Sequence, residues 1–168
     1  MSDIPLFKTI IAGDGGVGKT SLVRQYCEGK FDTSRVMTIG VDFQTHVVDL
    51  PEGKVKLSIW DMAGQERFAV VRTSFYRGAR ACALVFDLTV VDSLEHVSHW
   101  YKEIHNELPD VPFILVGNKL DLAINPDVTI ANKFAEIIHA PLILTSAATG
   151  EGVEQLFEQL ARLPRQPK

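Results

Sequence analysis

Two hydrophobic periods alternate along the chain. Nearly continuous apolar runs at residues 6–12, 81–86 and 112–116 are the mark of strands covered on both faces. Leu94, Val97, Tyr101, Ile104 and Leu108 recur every three or four positions, the stripe of an amphipathic helix, and Val153, Leu156, Phe157 and Leu160 repeat it near the end. Residues 41–50 and 54–60 flank the turn signal Pro51, Glu52 and Gly53, which predicts a hairpin. Helices are also expected over 21–28 and 130–139, and a final strand over 142–144. Strand and helix alternation of this kind predicts one α/β domain, a largely parallel sheet with helices on both faces. Such sheets bind ligands at the carboxyl ends of their strands, so the loops after strands are where chemistry should be sought.

Composition narrows the class. The 168 residues suit one domain with a substantial core, and 46% hydrophobic with 23% charged residues is an ordinary globular mix. A net charge of −4 gives no broad basic footprint and argues against nucleic acid as a partner. Cys27 and Cys82 match no zinc or redox spacing, so reduced thiols are expected. The sequence has neither a long apolar span nor a secretory signal at its start, and Pro164 to Lys168 offers no cysteine for prenylation. A soluble, cytoplasmic monomer without a visible lipid anchor is the expectation.

The first strand is followed by Gly13, Asp14, Gly15, Gly16, Val17, Gly18, Lys19 and Thr20, which fit G-x-x-x-x-G-K-[ST] between a strand and a helix. Glycines let successive backbone N–H groups turn inward toward phosphate oxygens, and the helix N-terminus adds partial positive charge. Lys19 is expected to reach the β- and γ-phosphates, the Thr20 hydroxyl to ligate Mg²⁺, and Ser21 to complete the contacts. Gly13, Gly15 and Gly18 also satisfy the dinucleotide fingerprint. That reading needs an acidic residue ending a second strand, and the segment before Asp32 is too polar for a buried strand. By composition the phosphate-loop pattern arises by chance in about one chain in 200 of this length.

Residues 118–121, Asn-Lys-Leu-Asp, follow an apolar run and point to guanine. The Asp121 carboxylate can accept from both N1–H and the C2 amine, a pattern that adenine lacks, and buried polar mismatches discriminate strongly. Asn118 can bond the Hoogsteen side and the Lys119 stem can cover a ring face. Asp61 ends a strand, where a metal ligand belongs, and is expected to hold Mg²⁺ through water. The Gly64 N–H can meet a γ-phosphate, and Gln65 can orient an attacking water. Taken singly, Asp61 would also fit a helix cap and Gln65 a solvated residue.

In order and spacing these motifs resemble the Ras superfamily of small GTPases over essentially the whole chain. Residues 39–43, 56–60, 65–68, 75–79 and 84–89 bring the likeness closest to the Rab family. The resemblance implies a three-layer G domain over 1–168, with a six-stranded, mostly parallel sheet, the phosphate loop at 13–20, switch I at about 32–40 and switch II at about 61–78. It implies that Thr38 ligates Mg²⁺ and senses the γ-phosphate, that Phe31 packs against guanine, and that Ser146 and Ala147 belong to a third base motif with the Ala147 N–H aimed at O6. Phe43, Trp60 and Phe75 match an aromatic triad of the effector surface; without the family each would be read as core.

Together these residues describe a switch that binds GTP and GDP with Mg²⁺ and hydrolyses GTP, with Gln65, Lys19 and Gly64 as the candidate catalytic set. Thr38 and Gly64 would order both switches on the γ-phosphate and release them after hydrolysis, as expected for traffic or signalling through effectors. No arginine has an evident place at the transition state, so turnover is expected to be slow until an activating protein supplies one; an exchange factor is expected as well. A phosphate-loop kinase would need a basic acceptor lid that the sequence lacks. His96, His99 and Glu103 share one helix face and read as a solvated face rather than a metal site.

Overall fold

The segments with the fewest polar positions form the middle of the sheet. The computed structural model describes residues 3–31, 41–62 and 73–165. Over these the chain runs β1 (Leu6–Ala12), α1 (Lys19–Glu28), β2 (Val41–Leu50), β3 (Gly53–Met62), β4 (Ala79–Asp87), α2 (Val91–Glu107), β5 (Phe113–Asn118), α3 (Thr129–Ile137), β6 (Leu142–Leu144) and α4 (Val153–Arg162). Single 3-10 turns cover Leu120–Leu122 and Leu163–Arg165. The strand order is β2-β3-β1-β4-β5-β6, parallel throughout except where β2 meets β3.

Although β1, β4 and β5 read as unbroken apolar runs, their side chains alternate between two cores. Phe7, Ile11, Ala81, Ala83, Val85, Ile114 and Val116 join one with α1 and α4. Ile10, Ala12, Cys82, Leu84, Phe86, Phe113 and Leu115 join the other with α2 and α3. Both faces of the central strands are thus buried, which is why no polar alternation survives in them. On α4, Val153, Leu156, Phe157, Leu160 and Ala161 are all buried, the i, i+3, i+4, i+7, i+8 stripe of a core-facing helix. Tyr26 of α1 stacks on Phe157 at 4.2 Å and meets His46 of β2 edge-on. Cys27 and Cys82 are free thiols; burial pushes Cys27 up to about 11 and raises Cys82 too, so neither is a ready nucleophile.

The expected elements are present with shifted ends. The hairpin pairs Leu50 with Gly53 across a two-residue turn, and β3 continues to Met62 opposite Val41. Strand β5 runs on to Asn118 because Gly117 and Asn118 pair with Phe86 and Asp87. Helix α2 buries Ser93, Val97, Trp100 and Ile104, so its inward face is turned toward Trp100, while Leu94 and Tyr101 sit half-buried at its margin. Among the described residues no helix is long and apolar enough to cross a membrane.

Topology fixes where a ligand can sit. From β1 the chain crosses to β3 on one side, and from β3 it returns to β4 on the other. The order therefore reverses at β1, and a crevice opens at the carboxyl ends of β1 and its neighbours. The loops after β1, β4, β5 and β6 all open onto that edge.

Candidate functional site

The loop after β1 is shaped by what a side chain would strike. At Gly13 φ is +150°, and a Cβ there would stand 2.2 Å from the Val85 carbonyl oxygen, a backbone atom inside β4. At Gly18 φ is +97°, and a Cβ would meet Asn118 Nδ2 at 2.4 Å. Only glycine lets this loop pass so close to β4 and β5. Gly13→Ala is expected to lower unfolding free energy by about 2–4 kcal/mol through strain and overlap. A urea midpoint equal to wild type would refute this.

Gly18 caps α1 in the left-handed conformation and offers no side chain to the helix's first N–H groups, which leaves that end suited to an anion. Gly15 and Gly16 are exposed, whereas Gly13, Val17 and Lys19 are buried and Ser21 half-buried. Lys19, 6% exposed, donates from Nζ to the Gly13 and Asp14 carbonyls, both at 2.8 Å, so its ammonium lies across the loop.

Thr20 Oγ1 donates to Asp61 Oδ2 at 2.5 Å, bringing the start of α1 against the end of β3. A hydroxyl and a carboxylate are hard oxygen donors, a set that suits Mg²⁺, which takes few protein ligands and keeps several waters. A cleft between α1 and the hairpin opens beside them, lined by Thr20, Arg24, Asp42, Gln44 and Asp61.

Residues 118–121 lie where β5 ends and are bonded to the phosphate loop. Asn118, 1% exposed, donates from Nδ2 to the Val17 carbonyl at 2.9 Å and accepts from Thr145 Oγ1 at Oδ1, also at 2.9 Å. Lys119, left-handed at φ 66°, donates from Nζ to the Gly16 carbonyl at 2.8 Å and pairs with Asp87 Oδ2 at 2.9 Å. Burial alone would raise the Asp87 carboxyl, but donation from Thr89 and Lys119 outweighs it and holds the group below its ordinary range. Ser146 Oγ donates to Asp121 Oδ1 at 2.7 Å, fixing one oxygen of an otherwise exposed carboxylate. Ala147 is buried beside it, and Phe31 stands 45% exposed at the last described position before 32–40.

Phe43 and Trp60 face each other across β2 and β3 with rings 5.5 Å apart, and Trp60 is 5.7 Å from Phe75. Phe43 is 65% exposed, while Trp60 and Phe75 are half-buried against the α2 core, so the row runs from surface to core margin. Lys8 holds it from below: Nζ lies 3.8 Å from the Trp60 ring centroid and donates to the carbonyls of Phe75 and, at 2.9 Å, Arg77.

Sequence reasoning found the groups in the motifs and missed their anchors. Thr145 holds Asn118 and Asp87 holds Lys119; both fall in segments that resemble the family, but nothing in the sequence assigns either this anchoring role. Asp14 is bonded to His96 and Trp100 of α2, so His96 is more than a solvated position; Glu103, lower on that helix, accepts from the Tyr76 hydroxyl. Thr38, Gly64 and Gln65 lie outside the described residues.

Comparison with known proteins agrees with this arrangement. A family model described as the Ras family matches residues 8–166. The chain belongs to the Ras family. Within it the chain is Rab-like. It is 44% identical over 160 residues to Ras-related protein Rab-4 of Dictyostelium discoideum, covering 94% of this chain and 78% of that relative. Ras-related protein Rab-1C of the same organism is 39% identical over 159 residues, 93% of this chain and 79% of the relative. As a Rab-like small GTPase the chain is a GTP- and GDP-binding switch of vesicle trafficking, and regulators and effectors come with that membership.

Proposed function

We propose that one GTP-binding domain spans residues 1–168 and that the motif residues divide the nucleotide between them. The loop 13–20 and Ser21 take the phosphates, with Lys19 on the β- and γ-oxygens. Asp121 and Asn118 read guanine, the Lys119 stem covers its ring, Phe31 packs against it, and Ser146 and Ala147 complete the base pocket. Thr20, Thr38 and Asp61, the last through water, hold Mg²⁺. Held there, it would supply positive charge against the phosphates. Gly64 meets the γ-phosphate and Gln65 orients the attacking water; switch I at about 32–40 and switch II at about 61–78 order around them.

The observation that carries this reading is the bonding of Asn118 to Val17 and of Lys119 to Gly16. A base-reading loop and a phosphate loop that share hydrogen bonds form one site of nucleotide length. Phe43, Trp60 and Phe75 offer effectors a contiguous aromatic row that Phe43 opens to solvent. The chain acts as a cytoplasmic monomer.

Turnover alone is slow, because no arginine has an evident place in the sequence at the γ-phosphate; one supplied by an activating protein is worth about 10³–10⁵ in rate. The test is to denature the chain as purified and chromatograph the nucleotide it carries, and then to load it with GTP and sample at intervals. Guanine nucleotide should be recovered, with GTP passing slowly to GDP and faster when cell extract is added. Recovery of adenine nucleotide, or fast turnover without extract, would overturn it.

A further inference from the structure

Asp14 puts a carboxylate into a loop assigned to phosphate. An anion there opposes phosphate binding unless its charge is answered, and both of its oxygens are answered from α2. Trp100 Nε1 donates to Oδ1 at 3.0 Å, and His96 Nδ1 meets Oδ2 at 2.5 Å. The two residues stand four apart, so one face of α2 presents both. Trp100 is 5% exposed and held in the core, which makes its indole a fixed donor. The main-chain carbonyl of the same Asp14 accepts from Lys19 Nζ at 2.8 Å. One residue therefore joins α2 to the lysine of the phosphate loop.

We propose that His96 and Trp100 are positioning residues for the phosphate loop, acting through Asp14, and that the charge on His96 sets how long bound nucleotide is retained. The proposal rests on the reading that residues 13–20 hold the phosphates. Among the described residues the groups facing His96 are Asp14 from the loop, Asp92 and Glu95 on its own helix, and the His99 ring, edge-on at 6.2 Å. The hydrogen bond to Asp14, then the Asp14 charge, raise the His96 pKa above its ordinary 6.5. Neutral His96 can still donate from Nδ1; what it loses is the positive charge. Below 6.5 the imidazolium offsets Asp14. As pH rises through the elevated pKa that compensation is lost, and phosphates are held less tightly. The His96 side chain is 53% exposed, so solvent and salt screen the effect to a modest factor.

Release of a fluorescent GDP analogue from the full chain, between about pH 5 and 8 at low salt, tests this. Wild-type release should accelerate by about two- to fivefold as pH rises. His96→Asn should be flat and close to the wild-type rate at high pH, while His99→Asn keeps the rise. Trp100→Phe should release faster at every pH with the rise intact. In an Asp14→Asn background, His96→Asn should change nothing further. A merely structural role for His96 would shift rates equally at all pH values. A flat wild type, a rise that persists in His96→Asn, or an unchanged His96→Asn effect in Asp14→Asn would each overturn the proposal. Lys19→Ala separates the two claims: if it leaves retention intact, the phosphate-loop assignment fails.

Discussion

Lys19→Ala weakens GDP and GTP binding by a factor on the order of 10²–10⁴. The estimate follows from removing charge-assisted bonds of about 1.5–3 kcal/mol each, two of them to phosphate oxygens. The ammonium is nearly buried and bonded to the carbonyls of Gly13 and Asp14, so the loop itself holds it in place. Little ordering cost then falls on the binding step, and the full charge is available to the phosphates. Truncation removes that charge and leaves two loop carbonyls to water. Titration with a fluorescent GDP analogue measures the loss. Thermal melting gives an independent reading, because a ligand that binds only the folded chain raises the melting temperature. The variant should show little rise with added GDP, and wild-type affinity would refute the role given to Lys19.

Asp121→Asn should change which base is accepted. Guanine offers N1–H and the C2 amine, two donors that a carboxylate satisfies. Xanthine carries a carbonyl at C2, so an amide that accepts at one atom and donates at the other matches it instead. In the structure Ser146 Oγ already donates to Oδ1 of Asp121. Asparagine keeps an oxygen there, so the contact within the protein survives while one of the two acceptors shown to the base becomes a donor. GTP affinity is expected to fall by a factor on the order of 10³ or more, and xanthosine triphosphate to be preferred, since sites built on such bonds reject mismatches by about 10⁴–10⁵. Competition of GTP and xanthosine triphosphate against the fluorescent GDP analogue measures both arms. Unchanged GTP affinity with no gain for xanthine would remove Asp121 from the base site.

How much of this could be read from the sequence depended on whether the cause was local. The phosphate loop was legible because its glycines, lysine and threonine are consecutive, and the base loop because Asn118, Lys119 and Asp121 fall together after an apolar run. The sheet was legible because β1, β4 and β5 are apolar on both faces. Helix α2 was placed correctly and Val97 and Ile104 of its expected stripe are buried, but the centre of that face is turned toward Trp100, which the core and Asp14, 86 positions away in sequence, draw inward. Asn118 meets Val17 across 101 positions and Thr145 across 27, and no periodicity reports such pairings. The start of α1 was set two residues late because Gly18, which caps it, reads as loop. Phe43 shows the opposite case: its type suggests core, and only the edge position of β2 leaves it exposed.

Each of the chain's two tryptophans has its indole beside a charged group. Trp60 lies over the Lys8 ammonium within the aromatic row, and Trp100 is bonded to the carboxylate of Asp14. An indole's emission responds to nearby charge, so the chain carries an intrinsic optical reporter at each place, one for partner docking and one for the phosphate loop. Trp60→Phe leaves the Trp100 signal alone, so the phosphate loop can be followed without an attached dye.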